Sequence, residues 1–314
     1  MAQDYLESIK KLGLTVKTNE LLAKYTTFKI GGPADFFVEV EEEEKLLNLI
    51  KLLKELNLPY FILGGGSNLL VADEGFRGTI IKIQNSKFKI QKFDYVKDSS
   101  GMDNSKFKII CGAGYLLGRL IEKTAKLGLT GLEFAAGIPG TVGGAVRGNA
   151  GAWGQAIGDK VKRVKVLTSR GEIKWIEASD CHFSYRQSQF KKTKEIIWEV
   201  ELELEKGNKK EIQEKISQNL AKRTTQPKEP SAGCIFVNPK PLVAGELIDK
   251  CGLKGKRIGD AQISPKHANF IVNLGKAKAA EVIKLIKLIK EKVKEKFGVE
   301  LEEEISLLGF ANLL

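Results

Sequence analysis

Between Gly131 and Gly154 the chain reads GLEFAAGIPGTVGGAVRGNAGAWG, and this stretch limits the fold more than any other. Eight of its twenty-four residues are Gly, five are Ala, and only Glu133 and Arg147 are charged, in a chain that is 29% charged overall. No apolar period runs through it, so it reads as neither an amphipathic helix nor an alternating strand. Glycine admits positive φ and lets another group approach the main chain closely. Successive uncovered N–H groups suit an anionic ligand. A flexible linker would be rich in Ser and polar residues, whereas this run carries Leu132, Phe134, Ile138, Val142, Val146 and Trp153. The stretch therefore reads as a buried, ligand-facing loop system.

The 314 residues suffice for two or three domains, or one large one, with a real core. The start, MAQDYLESIKKLG, lacks the apolar segment of a signal peptide. No run of eighteen apolar residues is present, so no membrane insertion is expected. Cys111, Cys181, Cys234 and Cys251 form no CxxC pair, and the chain has two His, so no metal site or disulfide scaffold is indicated. A reducing cytoplasm is the expected compartment. The net charge of +12 is spread thinly among acids, without a basic block interleaved with aromatics. It fits small phosphorylated ligands or a plain solvated surface better than nucleic acid.

Along the chain, 3–23 read as an amphipathic start, 36–40 as a strand, and 43–57 as a helix with Leu46, Leu47, Ile50, Leu53 and Leu56 on one face. Tyr60–Leu63 then runs into GGGSNLL at 64–70. A dinucleotide fingerprint needs its glycines to open a helix. Here they lead to another strand, 79–83, so the reading is a phosphate-binding loop rather than a Rossmann turn. The Lys-rich segment 86–108 reads as a hairpin extended by a loop, and the helix after Gly114 closes at Gly128. Strands follow at 161–167, 173–177 and 195–204, then helices at 209–223, 242–251 and 277–297. Arg257–Asn269 reads as a loop and 298–305 as a final strand. The expected fold is α+β.

Four pieces now stand in order: GGGSNLL at 64–70, IPGTVGGAVRGNAGAWG at 138–154, SYRQS at 184–188 and PSAGCIFVNP at 230–239; LEEEI at 301–305 closes the set. Together they resemble the UDP-N-acetylenolpyruvoylglucosamine reductase family, bacterial flavoenzymes of peptidoglycan precursor synthesis. The resemblance runs from about Tyr25 to the C-terminus. It implies a two-subdomain FAD-binding region of the vanillyl-alcohol-oxidase (PCMH) type over 25–205, divided near 84/85, after a lead-in of 1–24, and a C-terminal α/β substrate-binding domain over 206–314. No Tyr-bearing insertion is found, which matches the compact subtype.

By the same resemblance, three groups line a non-covalent FAD: Thr27 with Gly31 and Gly32; Gly64, Gly65, Gly66, Ser67, Asn68 and Leu69; and Gly137, Ile138, Pro139, Gly140, Thr141, Gly143, Gly144, Asn149, Ala150 and Gly151. Lys29 stands where the family usually has Arg. NADPH is the implied co-substrate and a UDP-sugar enolpyruvyl ether the substrate. Arg186 matches the catalytic Arg, Glu304 the closing acid, and Cys234 the proton donor, which in the family is commonly Ser. Tyr185, Asn238 and His267 are the implied substrate contacts. A monomer or weak oligomer is expected. Cys181 and His182 lie away from the glycine loops, which argues against covalent flavin. The rival readings are another FAD oxidoreductase of the same superfold and a basic nucleic-acid-binding protein.

Overall fold

The computed structural model describes residues 2–94, 105–168 and 170–310. The loop tip expected at 98–105 lies almost wholly outside them; the flanking strands Phe88–Asp94 and Lys106–Gly112 do pair as an antiparallel hairpin. A four-stranded sheet takes the order Val16–Leu21, Pro33–Val40, Phe76–Ile83, Tyr60–Leu63. The chain divides into two compact units. One comprises 1–16, 38–65 and 80–223; the other 17–37, 66–79 and 224–314. This division differs from the one expected at 205/206. The helix Lys209–Lys222 packs on the turn at Glu133–Ala135 and on the helix Leu117–Leu127, so it falls in the first unit. Phe28, Ile30 and Leu70 enter the core of the second.

The first unit is built on an antiparallel sheet in the order Ile173–Glu177, Val161–Leu167, Ile196–Lys206, Lys106–Gly112, Phe88–Asp94. Its central strand alternates as its sequence predicts. Trp198, Val200, Leu202 and Leu204 are buried on one face. On the other, Glu199 meets Lys87 at 2.9 Å, Glu201 meets Arg163 at 2.8 Å, and Glu203 meets Lys106 and Lys162 at 3.1 Å. Cross-strand cations thus shelter a row of carboxylates that leaves Glu201 only 3% exposed.

Helix Glu43–Glu55 forms because Leu46, Leu49, Ile50 and Leu53 repeat at 3.6 spacing and are buried, with Glu43 and Glu44 at its positive end and Lys54 at its negative end. The stripe is rotated from the expected one: Leu49 replaces Leu47, and Leu56 is exposed beyond the last turn. Helix Leu117–Leu127 ends where expected, at Gly128 with φ 71°. The organising stretch contains a helix that the sequence reading missed, Val142–Gly148. Val142, Ala145 and Val146 supply its buried side at i, i+3 and i+4, but seven residues are too few for that period to stand out.

The second unit has the antiparallel order Ser231–Cys234, Phe270–Asn273, Ala261–Ile263, Arg257–Ile258, so the expected loop at 257–269 contains two short strands. Helix Ala279–Phe297 packs on it, and helix Ala244–Lys250 packs on that helix. The longer helix buries Val282, Ile286, Ile289 and Val293, each burial contributing about 1.5–3 kcal/mol, so its apolar stripe is core rather than a membrane face. Its first turn is capped from a distance: both Asp73 oxygens accept from the N–H groups of Ala279 and Ala280, at 2.8 and 3.0 Å. The strand expected at 298–305 begins later, as Ser306–Leu308 parallel to Leu69–Val71. Among the described residues no helix is long and apolar enough to cross a membrane, and no His, Cys, Asp and Glu group could hold a metal ion.

Candidate active site

In the first unit the loop at 64–65 meets the loop at 137–141. A Cβ on Gly65 would lie 2.6 Å from Gly140 Cα, and one on Gly64 2.8 Å from Thr141 Oγ1. The second loop is fixed to the segment before helix Leu117–Leu127: the Gly140 carbonyl accepts from Leu117 N–H at 3.0 Å, and Val142 N–H donates to the Tyr115 carbonyl at 2.9 Å. Thr141 then caps helix Val142–Gly148, its hydroxyl accepting from Gly144 N–H. Two sequence motifs expected to share one ligand are therefore joined main chain to main chain. Ile138 and Pro139 lie on the same loop, and Ile138 N–H closes a turn onto the Ala135 carbonyl.

The glycines divide by their reason for being there. Gly65 and Gly143 are demanded by packing, since a Cβ on Gly143 would lie 2.7 Å from that of Ala113. Gly137, with φ 78°, has Arg223 laid across it, and Arg223 Nε donates to the Ala136 carbonyl at 2.7 Å. Gly144 and Gly148 are different. A Cβ on Gly144 would meet only Thr141 Oγ1 at 3.6 Å, and one on Gly148 would meet nothing within 4 Å. Inside a helix Gly costs about 1 kcal/mol against Ala, and nothing in the fold requires it at these two positions. A backbone surface kept bare in this way fits a flat ligand lying on it, as a flavin would.

The SYRQS motif forms a tight turn beside the same stretch. Ser184 and Gln187 exchange both main-chain bonds, at 3.1 and 3.0 Å, leaving Tyr185 and Arg186 at the tip. Arg186 adopts φ 56°, a left-handed conformation that is uncommon outside Gly, Asn and Asp. Its guanidinium donates to the Gly151 carbonyl at 2.9 Å. Tyr185 is exposed, with the Arg186 guanidinium 5.2 Å from its ring centroid. Asn149, expected to line the cofactor, is buried and hydrogen-bonded within the protein: it donates to the Ser184 carbonyl at 2.7 Å and accepts from Gly158 N–H at 3.0 Å. Ala150 N–H closes onto the Ala145 carbonyl behind it.

In the second unit the remaining residues assemble around another joint. Thr27 N–H donates to the Gly66 carbonyl at 3.1 Å, and its hydroxyl donates to the Ser231 carbonyl at 2.7 Å. Gly66, with φ 61°, packs so tightly on the Tyr25 carbonyl that no side chain fits. Asn68, after Ser67, donates from its amide to the Glu304 carbonyl at 2.9 Å. Glu304 N–H in turn donates to the Ile235 carbonyl at 2.7 Å, which sets the main chain of Glu304 beside the residue that follows Cys234. Glu302 is exposed and Glu303 pairs with Lys290 at 2.9 Å, so Glu304 is the acid of LEEEI that this joint holds. A register shift between Ser231 and Cys234, with Gly233 at φ 80°, marks a bulge just before the thiol. Gly31 and Gly32 are packed against Val71 and the Asp73 carbonyl, and the side chain of Leu69 is buried, so packing accounts for all three.

The other expected substrate contacts surround helix Ala244–Lys250. Asn238 Oδ1 accepts from Ala244 N–H at 3.0 Å and so starts that helix. His267 lies edge-on to Phe270, its ring centroid 4.9 Å away, and burial lowers its pKa below the ordinary value, favouring neutral imidazole. The sequence reading missed Asn269, which is buried and clamps Phe236 by both its N–H and its carbonyl, at 2.9 and 2.8 Å. A buried amide next to an apolar run, HANFIVN, is the signal that could have found it. Of the other cysteines, Cys111 and Cys181 are inert: burial pushes both thiols up to about 12. Cys251, at the end of helix Ala244–Lys250, is half-buried and packs against the core of the second unit.

Residues 34–177 match a family model described as "FAD binding domain", and residues 226–308 one described as "UDP-N-acetylenolpyruvoylglucosamine reductase, C-terminal domain". A reductase of that name from Carboxydothermus hydrogenoformans is 45% identical over 305 residues, covering 96% of this chain and 97% of its own. Its namesake from Halalkalibacterium halodurans is 42% identical, covering 98% and 99%. A crystal structure of the UDP-N-acetylenolpyruvylglucosamine reductase from Thermus caldophilus superimposes with a TM-score of 0.77 at 37% identity, covering 94% of this chain and 99% of that one. With identity at this level running through both units, the chain belongs to the UDP-N-acetylenolpyruvoylglucosamine reductase family.

Proposed function

We propose that this chain performs the reaction its family is named for, reducing the enolpyruvyl ether of UDP-N-acetylglucosamine to the lactyl ether of UDP-N-acetylmuramate. NADPH is the reductant, non-covalent FAD the cofactor, the cytoplasm the compartment, and the working form a monomer or weak oligomer. The observation that carries the reading is near-full-length identity with the named reductases. FAD would be held by the glycine loops at 64–69 and 137–151, and would supply hydride chemistry between NADPH and the β-carbon of the enol ether.

The chain's own residues do the rest. Addition of hydride leaves negative charge on the substrate carboxylate, and the α-carbon then needs one proton. Arg186 holds a fixed cation for that charge, in the manner of an oxyanion clamp. Its left-handed φ of 56° supports this, because strain in a non-glycine residue persists where a side chain must be aimed. Cys234 Sγ gives the proton to the α-carbon; hydride plus proton completes the saturated ether, and the thiolate is reprotonated from solvent. With a reference pKa of about 8.5, a thiol is a better acid than the hydroxyl usual at this position. Glu304 shares the joint with the 234–235 segment and orients the intermediate's carboxylate. Tyr185, Asn238 and His267 contact the UDP-sugar, the last two through helix Ala244–Lys250.

The test is stopped-flow spectroscopy of the flavin. In Cys234→Ala, NADPH should still bleach the flavin, while reoxidation by UDP-N-acetylglucosamine enolpyruvate should fall by at least 10²-fold. Cys234→Ser should recover a substantial part of the rate. Reoxidation of the Ala variant at the parent rate would remove Cys234 from the proton-transfer role, and failure of the parent itself to reoxidise with this substrate would remove the function.

A further inference from the structure

We infer that Asn149 is a positioning residue for Arg186 rather than a flavin ligand, with Ser188 as its partner in that task. The inference rests on the reading of Arg186 given above. Three bonds fasten the SYRQS turn to the RGNAG stretch at two-residue intervals. Ser188 Oγ donates to the Arg147 carbonyl at 2.7 Å, Asn149 Nδ2 to the Ser184 carbonyl at 2.7 Å, and Arg186 Nη1 to the Gly151 carbonyl at 2.9 Å. The outer two come from buried side chains, Asn149 at 6% and Ser188 at 2% exposed. They tie down both ends of the turn whose tip carries Arg186.

The amide of Asn149 is read in both directions. Its nitrogen faces the Ser184 carbonyl and its oxygen faces Gly158 N–H, so only one orientation satisfies both. Asn149 ends helix Val142–Gly148 in the left-handed region, at φ 43°, a conformation Asn and Asp tolerate. One residue therefore turns the chain out of the helix and fixes the neighbouring turn through its side chain. A non-glycine residue at φ 56° is held by its surroundings, and these bonds fix both ends of the turn that carries it. An Arg misplaced by about 1 Å loses much of its hold on a transition-state charge, on the order of 10²-fold in rate.

Two variants separate this role from flavin binding. Asn149→Gly keeps the left-handed turn and deletes both bonds. Asn149→Asp keeps the turn and the bond from Gly158 but sets an oxygen against the Ser184 carbonyl. With the FAD-loaded enzyme, both should slow reoxidation by UDP-N-acetylglucosamine enolpyruvate by about 10²-fold, leaving the NADPH step and the FAD dissociation constant within about twofold. Amide exchange at Gln187, whose N–H bonds Ser184, should quicken by about tenfold or more in both. Arg186→Ala combined with Asn149→Gly should be no slower than Arg186→Ala alone. Equal loss in both half-reactions, a matching loss of FAD affinity, or multiplicative effects in the double variant would overturn the inference. If Arg186→Ala slows reoxidation and the Asn149 variants do not, this inference falls alone; if Arg186→Ala has no effect, the parent reading falls and takes it along.

Discussion

Gly144→Ala separates a glycine kept for the fold from one kept for a ligand. Gly144 is exposed within helix Val142–Gly148, and an added methyl would touch only Thr141 Oγ1, at 3.6 Å. That distance is ordinary van der Waals contact, so the flavin-free chain meets no steric penalty. It gains the helix preference of Ala over Gly, about 0.5–1 kcal/mol in so short a helix. If FAD lies on this surface, the same methyl intrudes on it, and overpacking of that kind costs about 1–3 kcal/mol. At about 1.4 kcal/mol per decade, FAD should bind roughly tenfold to a hundredfold more weakly. The two effects have opposite signs, so no general loss of folding can imitate them. Urea unfolding of flavin-stripped protein reads the first, and a titration following flavin fluorescence reads the second. Gly65→Ala gives the contrast: its methyl would lie 2.6 Å from Gly140 Cα, so it should destabilise the flavin-free chain as well. FAD bound by Gly144→Ala as tightly as by the parent would refute the placement of the cofactor on this helix.

Further outcomes follow from single contacts. Asp73→Ala removes two N–H acceptors from the first turn of helix Ala279–Phe297 and should cost the second unit about 1–2 kcal/mol, seen as faster amide exchange along that helix. Burial lowers the pKa of His267, so between about pH 6.5 and its lower folded value the unfolded chain binds the extra proton; stability should fall as the pH is lowered through that window, and His267→Asn should flatten the slope in urea titrations. Arg163→Met leaves Glu201, which is 3% exposed, to the longer contact with Lys108 at 3.6 Å; the loss in chemical unfolding should be about 2 kcal/mol, tempered by the half-open Arg side of the pair.

Periodicity carried the helices and strands because it is a local record of one buried face. Leu117, Leu120 and Ile121, or Val282, Ile286 and Ile289, tell their side without reference to anything else in the chain. The family itself was legible in the same local way, from short motifs standing in order. What the sequence could not disclose is what stands opposite a residue. Gly65 and Gly144 look alike in the string, yet one abuts Gly140 and the other would make only an ordinary contact with Thr141 Oγ1. Nothing around Asp73 in the sequence points to Ala279, yet it caps the helix that begins there. Thr27 and Gly66 read as parts of an N-terminal cofactor region, yet they join Ser231 in the compact unit that contains Cys234. The family resemblance set Asn149 along the flavin, and its amide is turned to Ser184 and Gly158. A buried amide is satisfied only by partners fixed in direction, so its bonds separate residues that bind a ligand from those that aim the binders. In this family site the glycines nearest in sequence to the motif need not be nearest in purpose. Gly148 shares with Gly144 the absence of any packing reason. By that argument Gly148→Ala should weaken FAD binding in the same direction.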